Sequence, residues 1–181
     1  VEGPAKAAEN GPRQRVLAPL ELAEVWMVLG TDDYSNIVRL LILTGQRREE
    51  IGGLRWSEVD FERGLIVLPP GRTKNKRQHE LPLSPQASAI LVRRKALIEG
   101  RASGVITLGR DTSLVFGEGQ RGFSGWGYSK ATLDERIAKQ REAGGAKPMP
   151  KWTLHDLRRT AATIMAENLG CLLYTSDAAD D

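Results

Sequence analysis

Ile37-Val38-Arg39-Leu40-Leu41-Ile42-Leu43-Thr44-Gly45-Gln46-Arg47-Arg48-Glu49-Glu50 is the stretch whose reading decides the fold. From Ile37 to Leu43 it is apolar nearly all round, which suits a helix at the centre of a domain, covered on every side. Thr44-Gly45 breaks that helix, and a short one follows through Ile51 and Leu54. Arg47 therefore stands within a few residues of a buried element, where a guanidinium has to be paired or aimed at a ligand. Glu50, one turn later, is placed to orient it. Local sequence leaves both a structural salt bridge and a phosphate clamp open.

Outward from this stretch, Thr31-Asp32-Asp33 offers caps for the central helix. Pro19 suits the first turn of an earlier helix running to Leu29, with Gly30 as its stop. Downstream the period changes. Leu65-Ile66-Val67-Leu68 is β-branched, Pro69-Pro70-Gly71 interrupts, and His79-Glu80-Leu81-Pro82-Leu83 alternates. The prolines predict edge strands of a small antiparallel sheet, with Leu114-Val115-Phe116 as a third strand. Ser84-Pro85 opens a helix to Glu99 that Gly100 closes. Gly117 to Gly127 reads as loop, and Ser129 begins a helix ending at Gly144-Gly145. Thr153 and Asp156 form a capping box for a last helix, with Leu157, Ala161, Ile164 and Met165 on its buried stripe. Helices around a small sheet make an α+β fold.

At 181 residues the chain can bury a core of its own, and aromatics at 6% argue against a base-stacking single-strand binder. No apolar run is long enough to span a membrane, and the polar start carries no signal peptide. Cys171 stands alone, which excludes an intrachain disulfide and cysteine-ligated zinc within one chain. The formal net charge is +3, yet Asp177, Asp180 and Asp181 hold three of the 23 acidic side chains in a terminus without basic residues. The rest sets 26 basic side chains against 20, a net of +6. Basic clusters at Arg47-Arg48, Arg72 to Arg77, Arg93-Arg94-Lys95 and Arg158-Arg159 suit a polyanionic partner.

Two more segments bear on chemistry. In His155-Asp156-Leu157-Arg158-Arg159-Thr160, His155 and Arg158 are three residues apart and share one helix face. A surface ion cluster, with Asp156 pairing Arg159 or an upstream lysine, is the commoner origin of such a pair taken alone. In Arg72-Thr73-Lys74-Asn75-Lys76-Arg77, Lys74 sits near a hairpin tip, where a lysine is usually just solvated. Four basic residues within six positions exceed what a turn requires.

Taken together, TGxRxxE at Thr44 to Glu50, a hairpin lysine at Lys74 and HxxR at His155 to Arg158 resemble the catalytic domain of tyrosine recombinases, the phage integrase family. Leu54-Arg55-Trp56 followed by Val59-Asp60, and Leu81-Pro82-Leu83 after the lysine, are further features similar to that family. The likeness covers residues 16–170. It implies DNA strand cleavage and rejoining through a 3′-phosphotyrosyl intermediate. Arg47 and Arg158 would clamp the phosphate, Lys74 (or Lys76) would protonate the departing 5′-oxygen, and His155 would accept the tyrosine's proton or bond a phosphate oxygen. Glu50 would hold Arg47 or His155, and Arg72, Lys76, Arg77 and Arg159 would contact DNA. Neither metal nor cofactor is implied. The implied partner is double-stranded DNA, held by four protomers on two duplexes, in a cytoplasmic, nucleoid-associated protein encoded by a bacterium or phage. A type IB topoisomerase-like enzyme and a DNA-binding module that never cleaves are the competing readings.

The chain departs from the family after HxxR. No second His or Trp box precedes Tyr174, which lies too close to Arg158 to serve as nucleophile. Residues 171–181 resemble a translated sequencing adapter, so the expectation is a fragment that lacks its nucleophile and is inactive. Residues 1–15 read as a linker from a missing N-terminal DNA-binding domain, and residues 16–170 as an incomplete catalytic domain.

Overall fold

Asp32 starts the element around which the others pack. Its side chain accepts the Ser35 amide at 2.9 Å and the Ser35 hydroxyl at 2.8 Å, an N-cap that satisfies an otherwise orphaned donor. In the computed structural model, residues 15–102, 113–117 and 122–169 are described. Of the linker expected over residues 1–15 all but Arg15 lies outside them, as does the segment 171–181 with Tyr174.

Six helices and three strands are described: α1 Pro19–Val28, α2 Asp33–Thr44, α3 Arg48–Gly52, β1 Val59–Asp60, β2 Leu65–Leu68, β3 His79–Pro82, α4 Pro85–Ala102, α5 Trp126–Ala143 and α6 Leu154–Leu169. Helix α2 is the expected central helix: Ile37, Val38, Leu40 and Leu41 are buried, and α3, α4 and α6 pack on it. Gly45 ends it in the left-handed conformation at φ 63°, which lets its amide reach Leu41 O at 2.9 Å. The glutamate three places along serves as acceptor at successive turns: Ala18 N donates to Glu21 at 3.0 Å, Arg47 N to Glu50 at 2.9 Å and Arg55 N to Glu58 at 2.9 Å.

The strands pair antiparallel in the order β1-β2-β3, with Val59 opposite Ile66 and Ile66 opposite Leu81. This corrects the expected arrangement. Leu65–Leu68 is the central strand, because Pro69 and Pro70 fall just beyond its end and remove no ladder donor. Its second partner is the two-residue β1, too short to carry a periodic signal. Pro82 ends β3 on an edge, as a strand proline should. Leu114 makes only an isolated bridge to Arg55 and no third strand. Its neighbours Val115 and Phe116 are nevertheless fully buried.

Two helix boundaries and the buried face of the last helix also differ. Helix α4 runs past Gly100 to Ala102, since an exposed glycine costs a helix only about 1 kcal/mol. Helix α5 starts at Trp126, and Gly125 takes the left-handed turn at φ 81° before it. Trp126 is drawn in by an aromatic cluster, with its ring 4.8 Å from Phe123 and 6.1 Å from Tyr34. Burial in that cluster raises the Tyr34 phenol well above its ordinary pKa. On α6, Leu157 and Ala161 are buried as expected, but Ile164 lies at the surface and Thr160 takes an inward place. The Thr160 hydroxyl donates to Asp156 O at 2.7 Å and accepts the Leu17 amide at 2.9 Å, so the start of the described chain is tied to the last helix.

Candidate active site

Arg47 caps α3, and its amide is held by Glu50 Oε2 while its Nη1 stands 3.4 Å from Glu50 Oε1. Glu50 is itself only 5% exposed, so this carboxylate is a fixed strut beneath a half-exposed guanidinium. Arg158, on the first turns of α6, donates from Nη1 to Gly45 O at 2.7 Å. The carbonyl belongs to the residue that breaks α2. The helix that carries HxxR is thereby tied to the loop that delivers Arg47. Asp156 pairs with neither Arg159 nor an upstream lysine. Its Oδ2 accepts the Thr153 amide at 2.7 Å and the Thr153 hydroxyl at 3.0 Å, the capping expected there. That cap sets the start of α6 and, with it, the direction of His155.

Arg47, Lys74, His155 and Arg158 all line one open cavity of about 650 Å³. With Arg48, Arg72 and Lys130 its wall carries six lysines and arginines beside His155, against two acidic side chains, Glu49 and Glu50. Low-dielectric walls of one charge sign focus the field on an incoming anion. Lys74 comes from the turn between β2 and β3, which Thr73 closes by donating its hydroxyl to Arg77 O at 2.6 Å. Lys76, in the same turn, takes a left-handed φ of 53° and is not on the cavity wall. Arg77 and Arg159 are likewise off that wall.

Arg72, expected to contact DNA, is engaged within the protein. Its Nη1 donates to Gly53 O at 2.5 Å and its Nη2 to Glu50 O at 2.8 Å. Its Nε faces the buried Glu58 carboxylate at 3.4 Å, an ion-pair distance without hydrogen-bond geometry. Arg94 departs from the polyanion reading in the same way, bound to Asp33 at 2.8 Å and to Val115 O at 3.0 Å.

Sequence reasoning missed Lys130, Trp126 and Trp152, which also line the cavity. Lys130 Nζ is 3.9 Å from the centroid of the Trp152 ring and 2.6 Å from each Asp134 oxygen. This clasp holds the segment just before α6 against α5. The Lys130–Asp134 spacing was a readable helix pair, whereas nothing local linked it to Trp152. Among the described residues there is no His/Cys/Asp/Glu group able to hold a metal ion, and no helix long and apolar enough to cross a membrane.

Sequence and fold are both similar to those of known proteins. The chain is 30% identical over 136 residues to the prophage integrase IntF of Escherichia coli (strain K12), covering 72% of the chain and 24% of that protein. It thus spans about a quarter of the length of this curated relative. In fold it is similar to the Tn1549 transposon integrase solved with circular intermediate DNA, at a TM-score of 0.62 and 19% identity over 93% of the chain and 57% of that structure. It is also similar to the catalytic domain of bacteriophage HP1 integrase, at a TM-score of 0.54 and 18% identity over 90% of the chain and 78% of that structure. The model of the phage integrase family matches residues 29–170, the span that holds Arg47, Lys74, His155 and Arg158, and the chain belongs to that family.

Proposed function

We propose that the cavity is the phosphate site of a tyrosine-type site-specific DNA recombinase. The carrying observation is that Arg47, Lys74, His155 and Arg158, drawn from three distant segments, line one basic cavity. Two guanidinium forks suit the nonbridging oxygens of a phosphodiester, whose charge grows as a nucleophile attacks. In this reading a tyrosine oxygen forms a bond to phosphorus while the bond from phosphorus to the 5′-oxygen breaks. Lys74 gives that oxygen its proton, and His155 takes the tyrosine's. A 5′-hydroxyl from a second strand then attacks the phosphotyrosine and releases the tyrosine. Glu50 keeps Arg47 in place throughout. Lys74 is preferred to Lys76 because it is the one on the cavity wall.

No tyrosine lines the cavity among the described residues, and Tyr128 lies elsewhere, 82% exposed on α5. The nucleophile is therefore taken from outside the described wall, and Tyr174, too close to Arg158 in sequence, is not proposed for the role. Double-stranded DNA is the proposed partner, with four protomers on two duplexes and a cytoplasmic setting. The Tn1549 integrase, solved on DNA, lends support to the choice of partner.

Fluorescence anisotropy of the chain on labelled duplex DNA tests the site. Arg47→Ala and Arg158→Ala should each weaken binding about tenfold and flatten the slope of log affinity against log salt by about 0.9 per lost phosphate contact. Lys139→Ala, on the exposed side of α5, serves as the control. Equal, small effects at all three positions would reduce the cavity to an ordinary basic surface.

A further inference from the structure

We infer that Arg72 is a positioning residue that holds the Lys74 turn in register with the Arg47 helix, rather than a residue that touches DNA. This rests on the reading of the cavity as a phosphate site. Lys74 lies on a turn whose residues 74–80 are exposed, and such a turn has little packing of its own to fix it. Arg72, two residues before Lys74, supplies a fixed point. Its fork grips the carbonyls of Glu50 and Gly53 at the end of α3, and its Nε faces the buried carboxylate of Glu58. A guanidinium at a helix C-terminus is favoured both by the unsatisfied carbonyls and by the helix dipole.

The residue gripped through its carbonyl, Glu50, is the one whose carboxylate holds Arg47. One side chain therefore joins the element that orients Arg47 to the turn that presents Lys74. The seat is shaped for it: a Cβ on Gly53 would stand 2.8 Å from Arg72 Nη1 and 3.2 Å from Glu49 O. Gly53 has an ordinary φ of −104°, so alanine there meets no dihedral penalty; its Cβ displaces the guanidinium and presses on the Glu49 carbonyl. Lysine cannot replace Arg72, because one ammonium on a flexible stem does not reproduce a planar fork across two carbonyls and a carboxylate.

A double-mutant cycle on duplex-DNA affinity tests the inference, run at a temperature where melting curves show every variant folded. Arg72→Gln, Arg72→Lys and Gly53→Ala should each weaken binding about as much as Lys74→Ala, roughly tenfold. Arg72→Gln combined with Lys74→Ala should bind no more weakly than Lys74→Ala alone. Gly53→Ala keeps every charge, so a loss there reports displaced geometry and not a removed charge. Additive losses for Arg72→Gln and Lys74→Ala, with a further flattening of the salt slope, would make Arg72 a direct DNA contact and overturn the inference. A lowered melting temperature with unchanged affinity would also overturn it, leaving Arg72 a scaffold residue only. If Arg47→Ala, Lys74→Ala and Arg158→Ala all leave affinity unchanged, the phosphate-site reading fails and takes this inference with it.

Discussion

Arg158 Nη1 donates to the carbonyl oxygen of Gly45 at 2.7 Å, joining two motifs that lie 113 residues apart in the chain. The bond closes the site on itself: the residue that ends the central helix is also a seat for the arginine of the last one. Gly45 meets two demands at once, a left-handed φ of 63° and an approach in which a Cβ would stand 3.3 Å from the Ala161 Cβ. Gly45→Ala should lower stability by about 1–2 kcal/mol, the cost of left-handed backbone for an L-residue, and should displace Arg158. Urea unfolding checks the first effect. A variant as stable as the parent would show that the junction tolerates what its geometry forbids.

Glu50 is buried and accepts both the Arg47 amide and its guanidinium. Glu50→Ala leaves that donor without its partner and should cost about 2 kcal/mol in urea unfolding. Glu50→Gln keeps an acceptor for the amide and should cost less, while still weakening DNA binding by loosening Arg47. Equal losses from both substitutions would mean that charge, not the backbone bond, anchors the start of α3.

Arg94 and Asp33 form a forked pair, and the same carboxylate accepts the Gly117 amide at 2.9 Å. The network ties α2, α4 and the buried Val115-Phe116 segment together. Arg94→Ala strands a partly buried carboxylate and should destabilise by about 3 kcal/mol in chemical denaturation. Arg94→Lys should recover little, because the Val115 carbonyl and both carboxylate oxygens need the fork. A near-neutral Arg94→Ala would return this residue to the exposed basic surface.

Asp32 has its carboxyl held below the ordinary value of 3.8: burial pushes it up, but the Ser35 amide and hydroxyl and the charge of Arg136 outweigh that. A folded-state pKa below the unfolded one means that the cap's contribution is complete above about pH 4. It is lost as pH falls through the folded value. Asp32→Ala should cost about 1 kcal/mol near neutrality, and the gap from the parent should close in acid. Parallel stability curves down to low pH would contradict this.

The centre of the fold was legible because α2 is apolar nearly all round from Ile37 to Leu43 and capped at both ends by Asp32 and Gly45, all local signals. Lys74, His155 and Arg158 were legible as motif members, though their convergence was not visible in any one segment. What escaped was set by distant partners. Two-residue β1 exists only because Leu65–Leu68 offers it a ladder, and Trp126 joins α5 early because Tyr34 and Phe123 wait for its ring. Arg72 and Arg94 read as surface charge because the carbonyls and carboxylates that face them lie 14 to 61 residues away. Ile164 matches the helical period of the buried stripe, yet it lies at the surface.

The most direct test of the account is covalent capture. The open reading frame that encodes the chain, translated through to its stop codon, is incubated with a random-sequence duplex library, and protein-linked DNA is recovered under denaturing conditions. The account predicts a 3′-phosphotyrosyl adduct, mapped by mass spectrometry to a tyrosine other than Tyr174, that Arg158→Ala abolishes. Duplex binding without any adduct would contradict it and leave a non-cleaving DNA-binding module, and an adduct on Tyr174 would overturn the assignment of the nucleophile.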